Sequence, residues 1–243
     1  MKLTITGSGS GKPTAGKNLS SLLLQQEEHL LLLDCGEPIA RILAERNLDV
    51  NKIEAVVITH FHPDHSSGIY MLLQLFHIRK RTRKLKLFLP ENVELFKATL
   101  PLYYLFVENF PFKLEILDIQ NLNKHYNWLT IIPTDHLQKY KEIIATTNSG
   151  NKMQSFSIFC KGEKSLLYTS DLGSMKPVMS AIEQAEVVVI DALHPSHKQL
   201  WKLILSGKRV ILTHGLNAEL AKKLTPNCPD NAVIAEDGIE IEI

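Results

Sequence analysis

Short apolar runs rich in leucine and β-branched residues alternate along this chain with stretches whose apolar positions recur at the helical spacing. The runs predict strands over 2–6, 20–26, 29–34, 54–59, 85–89, 114–119, 129–134, 155–160, 165–170, 187–191, 209–213 and 232–242, the last broken at Asp237-Gly238. The amphipathic stretches predict helices over 38–47, 66–79, 92–99, 176–184, 197–206 and 217–224. Two strand pairs read as hairpins, 20–26 with 29–34 and 155–160 with 165–170. Hairpins mixed with strand–helix–strand units predict mixed sheets covered by helices. No fixed-period repeat or low-complexity linker interrupts the pattern, so one α/β domain over 1–243 is expected.

Composition changes this picture little. Of 243 residues, 44% are hydrophobic and 22% charged, which is ordinary for a globular protein, and the net charge of +1 gives no global field toward nucleic acid or membranes. Cys35, Cys160 and Cys228 are scattered and form no CxxC pair, which argues against a disulfide framework or a thiolate zinc site and for a reducing compartment. The N-terminus runs straight into a strand pattern, and runs such as LLLL at 30–33 are too short to span a bilayer. A cytoplasmic location without membrane contact is the expectation.

Strand ends carry the chemistry. Asp34, His60, His136, Asp171, Asp191 and His214 each stand where an apolar run stops. One such residue would ordinarily be a loop side chain; six of metal-ligand type point to a shared task. The segment THFHPDHSSG adds His62, Asp64 and His65 to His60 within six positions. In an extended segment His60 and His62 face one side and can chelate one ion. Pro63 then forces a turn, so Asp64 and His65 can serve a second ion, and Ser66 is a plausible cap for the helix that follows. This loop cannot complete two coordination spheres, and His136, Asp171 and His214 are the available further donors. Two ions about 3.5–4 Å apart can share a hydroxide and clamp the oxygens of a displacement reaction. Imidazole and carboxylate donors suit two divalent metal ions, zinc first, with manganese and iron as alternatives.

The His-x-His-x-Asp-His pattern after a strand resembles the metallo-β-lactamase superfamily, and the resemblance runs in order over nearly the whole chain. It implies an αββα sandwich of two mixed β-sheets flanked by helices. It implies one metal site of His60, His62 and His136, another of Asp64, His65 and His214, and Asp171 as the bridging carboxylate. Asp34 matches the early aspartate that positions the metal loop. His62 stands where flavodiiron relatives carry Glu, which favours hydrolysis over redox chemistry.

Within the superfamily, GSGSGKPTAGKNLSSLLL, LLLLDCGE and VVITHFHPDHSSG are similar to the opening of ribonuclease Z and the smaller phosphodiesterases near it. A P-loop reading of GSGSGK fails, since Thr6 stands where the first Gly is needed and Pro13 where Ser or Thr is needed. The glycines read instead as a tight turn beside the metals, with N–H groups able to meet a phosphate. In DALHPSH, His197 matches best the leaving-group histidine of these relatives, His194 second, with Asp191 as acidic partner. Asp64 is the further catalytic candidate. Only 34 residues separate His136 from Asp171, too few for the tRNA-binding arm of ribonuclease Z, so the smaller arm-less relatives fit better.

The resemblance implies a metal-dependent hydrolase of phosphodiesters. The same cage in glyoxalase II-like or lactonase relatives would act on thioesters or lactones, and degenerate relatives serve as non-catalytic RNA-processing modules. Nucleic acid is a candidate substrate, and a homodimer is a candidate assembly. The basic run HIRKRTRKLK at 77–86 reads as a solvated helix end, and PLYYLFVENFPF at 101–112 as aromatic packing over a sheet.

Overall fold

The computed structural model describes residues 1–224 and 227–243. Its strands are β1 (Lys2–Gly7), β2 (Ser21–Gln26), β3 (His29–Leu33), β4 (Ile53–Val57), β5 (Leu85–Leu89), β6 (Leu114–Asp118), β7 (Leu129–Pro133), β8 (Phe156–Cys160), β9 (Leu166–Tyr168), β10 (Val187–Asp191), β11 (Arg209–Thr213), β12 (Ala232–Ile234) and β13 (Glu240–Glu242). The helices are α1 (Ile39–Glu45), α2 (Pro63–Ser66), α3 (Ile69–Ile78), α4 (Val93–Thr99), α5 (Leu122–His125), α6 (Lys141–Thr147), α7 (Met179–Gln184), α8 (His197–Ile204) and α9 (Ala218–Leu224). No helix among the described residues is long and apolar enough to cross a membrane.

The strands form two sheets, ordered β13-β1-β2-β3-β4-β5-β6 and β12-β11-β10-β9-β8-β7. Period-two alternation explains why strands such as SLLLQQ and HLLLL are apolar on consecutive positions. Leu22, Leu24, Leu31, Leu33, Ala55 and Val57 face the other sheet, where Ile158, Tyr168, Val187 and Val189 meet them. The intervening Leu23, Leu32 and Val56 face the helices on the outer side, α1 and α3 among them. Leu167, Val188 and Val210 do the same for α7, α8 and α9 on the second sheet. Helix layer, sheet, sheet, helix layer is the αββα sandwich expected.

Both sheets follow one topology. β1-β2-β3 is antiparallel and β3-β4-β5-β6 parallel. β7-β8-β9 is likewise antiparallel and β9-β10-β11-β12 parallel. The candidate ligands follow β4 in the first sheet and β7, β9 and β11 in the second, and they meet at one edge of the sandwich.

Three local expectations change and a fourth is sharpened. The stretch 232–242 breaks as expected, with β12 ending the second sheet and β13 pairing with β1 in the first. Gly238 makes the crossing at φ +92°, a conformation that costs glycine nothing. Ser66 does not cap a helix; α2 starts at Pro63, whose missing N–H suits a first turn, and the Ser66 hydroxyl bonds back to the His62 carbonyl. In the basic run Arg81 turns inward. It is fully buried, donates to the carbonyls of Val50, Ile53 and Lys84, and lies against the Phe76 and Phe112 rings. Of the aromatic stretch, Leu105 and Phe112 pack inside, whereas Leu102, Tyr103, Tyr104 and Phe106 are exposed.

Candidate metal centre

The loop after β4 holds its shape through Asp34. This residue ends β3 with φ +57° and is completely buried. Its Oδ1 accepts from the Thr59 backbone N–H and hydroxyl at 2.8 Å. Its Oδ2 lies 2.8 Å from His65 Nδ1 and accepts from the Tyr168 hydroxyl at 2.7 Å. A carboxylate on Nδ1 sets the tautomer and leaves Nε2 as the ligand atom, the arrangement that supports metal-bound histidines. Gly36 explains the close approach beneath: a Cβ there would sit 2.3 Å from the Asp64 carbonyl oxygen. Only a residue without a side chain lets the two segments meet.

Two ligand groups converge above this frame. In the first, His60 Nε2 and His136 Nε2 each lie 3.1 Å from His62 Nδ1, and His136 Nε2 lies 3.4 Å from Asp171 Oδ2. Ligand atoms on a tetrahedron with 2.0–2.1 Å zinc–nitrogen bonds stand about 3.3 Å apart. In the second, His65 Nε2 is 3.1 Å from Asp171 Oδ1, His214 Nε2 is 3.1 Å from Asp171 Oδ2, and Asp64 Oδ2 is 3.6 Å and 3.8 Å from the two histidines. Each group keeps its ligand atoms within 4.8 Å of one another, and Asp171 belongs to both.

A pair of divalent ions fits these residues. His65 Nε2 and Asp171 Oδ1 are buried without a hydrogen bond, although 3.1 Å apart. Such orphaned polar atoms are costly unless something else satisfies them. Electrostatics sort the histidines. Burial pushes His60 well below its ordinary value, lowers His62 and brings His136 down to about 4, so these imidazoles are neutral donors. Burial also acts to lower His65, but the Asp171 and Asp34 carboxylates outweigh it and hold this imidazole well above its usual range. Burial would likewise raise Asp171, yet His65 and His214 overcome it and keep the carboxylate ionised.

The leaving-group candidates separate. His194 Nδ1 is 2.8 Å from Asp191 Oδ2 and 3.9 Å from Asp171 Oδ2, and its ring stacks 5.4 Å from that of His214. The hydrogen bond to Asp191 raises its pKa. His197 instead opens α8, because Ser196 forms a capping box with Gln199 and turns the chain into the helix there. His194 lines the metal cleft with Ser10, Gly11, Lys12, Lys139 and Tyr140, and His197, the first match by sequence, is not among the lining residues.

Several supports escaped sequence reading. Ser20 Oγ lies 2.8 Å from His214 Nδ1, and Tyr140 Oη lies 3.2 Å from His62 Nε2. The interval between His136 and Asp171 holds a 3-10 turn at His136–Tyr140, α6 and the β8–β9 hairpin, where an arm was not expected.

Known proteins share this architecture. The metallo-β-lactamase fold protein YhfI from Bacillus subtilis superposes with TM-score 0.72 at 19% identity, covering 99% of this chain and 98% of that one. The short form of human tRNase Z gives 0.69 at 17% identity, covering 100% and 99%. A diphosphatase of the PhnP family gives 0.65 at 16% identity, covering 100% and 97%. In sequence, ribonuclease Z of Nitrosopumilus maritimus is 36% identical over 98 residues, 40% of this chain and 33% of that protein. Ribonuclease Z of Pyrococcus abyssi is 36% identical over 92 residues, 38% and 30% respectively. The matched stretch thus spans about a third of these relatives' length. The family model described as Anti-Pycsar protein Apyc1 matches residues 1–204. With the metallo-β-lactamase fold, both ligand groups and that match in place, the chain belongs to the Anti-Pycsar protein Apyc1 family.

Proposed function

We propose that residues 1–243 act as one catalytic domain, a dinuclear metal-dependent phosphodiesterase. The observation that carries this reading is Asp171, one carboxylate common to two complete ligand groups. His60, His62, His136 and Asp171 would hold one ion, and Asp64, His65, His214 and Asp171 the other. Zinc suits five imidazoles and two carboxylates without thiolate; manganese and iron are alternatives for metal analysis to separate. When bound, such a pair supplies Lewis acidity and makes water nucleophilic near neutral pH. Lys12 and Lys139 border the cleft and offset the charge of a phosphate. His194, held through Nδ1 by Asp191, has Nε2 available to protonate the departing alkoxide.

The thioester or lactone alternative gains no support, because the sequence relatives compared are ribonuclease Z proteins. Filled ligand positions speak against a non-catalytic module. Metal-loaded protein should hydrolyse bis(4-nitrophenyl) phosphate and lose that activity in Asp64→Ala. Inactivity on phosphodiesters, with good turnover of a thioester or lactone, overturns the reading.

A further inference from the structure

Beside the metal cleft lies a second cavity of about 280 Å³. His62 and Tyr140 line both spaces, so the cavity adjoins the ions' proposed site rather than a remote surface. Phe61, Leu137, Ile143 and Met153 give it apolar walls. Two features show that the protein leaves these walls uncovered. α6, which supplies Ile143 and Ile144, has no buried residue along its length, and Ile143 is 55% exposed. The far wall is nevertheless built firmly: Glu91, 3% exposed, accepts from the backbone N–H groups of Lys152 at 2.8 Å and Gln154 at 3.2 Å and pins the loop after α6. That carboxylate is spent on the protein and leaves little in the cavity for a charged ligand.

We propose that this cavity seats one ester substituent of the substrate and selects a planar, uncharged aromatic group, with Tyr140 as the wall shared between ring and phosphate. The proposal rests on the phosphodiester reading above and adds the side of specificity. Size supports it: an apolar cavity of roughly 150 Å³ accepts a benzene ring, so this one has room for one or two fused rings. A methyl substituent would leave most of the wall wet. Covering Ile143 and its neighbours with a ring recovers apolar area that folding alone leaves in water.

The test compares 4-nitrophenyl phenyl phosphate with 4-nitrophenyl methyl phosphate, each corrected for its uncatalysed rate, on zinc-loaded protein and Ile143→Asp. Calorimetric binding of phenylphosphonate and methylphosphonate to the same proteins supplies a readout independent of turnover. Ile143 is exposed, so the substitution does not endanger folding. We expect the phenyl compounds to be favoured by about tenfold in KM and in affinity, and Ile143→Asp to bring both preferences toward one. Equal affinity for the two phosphonates, or a preference that Ile143→Asp leaves intact, overturns the proposal. Preferential phenylphosphonate binding without turnover of either ester keeps the cavity assignment and removes the phosphodiester reading instead.

Discussion

Asp34 Oδ2 stands 2.8 Å from His65 Nδ1 with both side chains buried, although neither lies on the element of the other. Through Thr59 and Tyr168 the same carboxylate ties the loop after β4 to β9 in the second sheet. One non-ligating residue thus fixes the mutual position of ligands from both halves of the sandwich.

Removing that charge should loosen the metals. Asp34→Asn keeps the size but can no longer accept at both oxygens, and loss of such a supporting partner costs about 10–100-fold in metal affinity. Tyr168→Phe, which removes one of the partners of Asp34, should cost less. Competition with a chromogenic chelator measures both, and wild-type affinity in Asp34→Asn would rule out the positioning role.

Metal removal should also lower thermal stability. The buried Asp171 Oδ1 and His65 Nε2 have no hydrogen-bond partner, and ions bound beside them would satisfy both. A ligand present at 100–1,000 times its Kd stabilises the folded state by about 3–4 kcal/mol, which for a chain of this size means a melting temperature roughly 5–15 °C higher. Calorimetry before and after chelation, with zinc added back, reads the difference. Unchanged melting would mean that the two groups hold no ions in the folded protein.

How far the sequence disclosed this centre depends on what made each part visible. Four of the seven candidate donors, His60, His136, Asp171 and His214, were legible because a strand must stop before it can aim a side chain at the sandwich edge; His62, Asp64 and His65 were legible from their crowding into the segment just after His60. Partners such as Ser20 for His214 were not, since 194 positions separate them and a serine after an asparagine and a leucine carries no signal. Tyr168, 134 positions from Asp34, looked like core and is core; its hydroxyl became functional only through the sheet-to-sheet contact. The matching topology of the two sheets left no repeat in the sequence, because alternation constrains polarity and not residue identity. Arg81 was hidden inside a run of cations whose other members are largely solvated.

Gly36 should tolerate no side chain. The Cβ of Gly36→Ala would lie 2.3 Å from the Asp64 carbonyl oxygen and 2.7 Å from the Leu19 carbonyl carbon, both backbone atoms that cannot rotate away. The segment carrying Asp64 and His65 must shift, and that movement displaces two ligands of one ion. The expected outcome is retention of about one ion per chain where wild type binds two, with destabilisation of roughly 2 kcal/mol or more. Metal analysis after dialysis decides it; two ions retained at wild-type affinity would show that the loop adapts.

His194 and His197 should differ sharply under substitution. His194 hydrogen-bonds Asp191 and borders the cleft, whereas His197 begins α8 outside it. A group that protonates the leaving oxygen matters most when that oxygen leaves poorly, and general acid catalysis contributes about 10²–10⁴-fold. His194→Ala should therefore reduce kcat by about 10²-fold or more for an alkyl leaving group and far less for 4-nitrophenolate, which needs little help. Asp191→Asn should reproduce that dependence in weaker form, because it disturbs the orientation of the imidazole without deleting it. His197→Ala should leave kcat within about twofold for both substrates, as expected of a half-buried side chain outside the cleft. The slope of log kcat against leaving-group pKa reports the outcome: a steeper slope for His194→Ala assigns it the proton, and a steeper slope for His197→Ala would return the role to the residue that the sequence pattern favours.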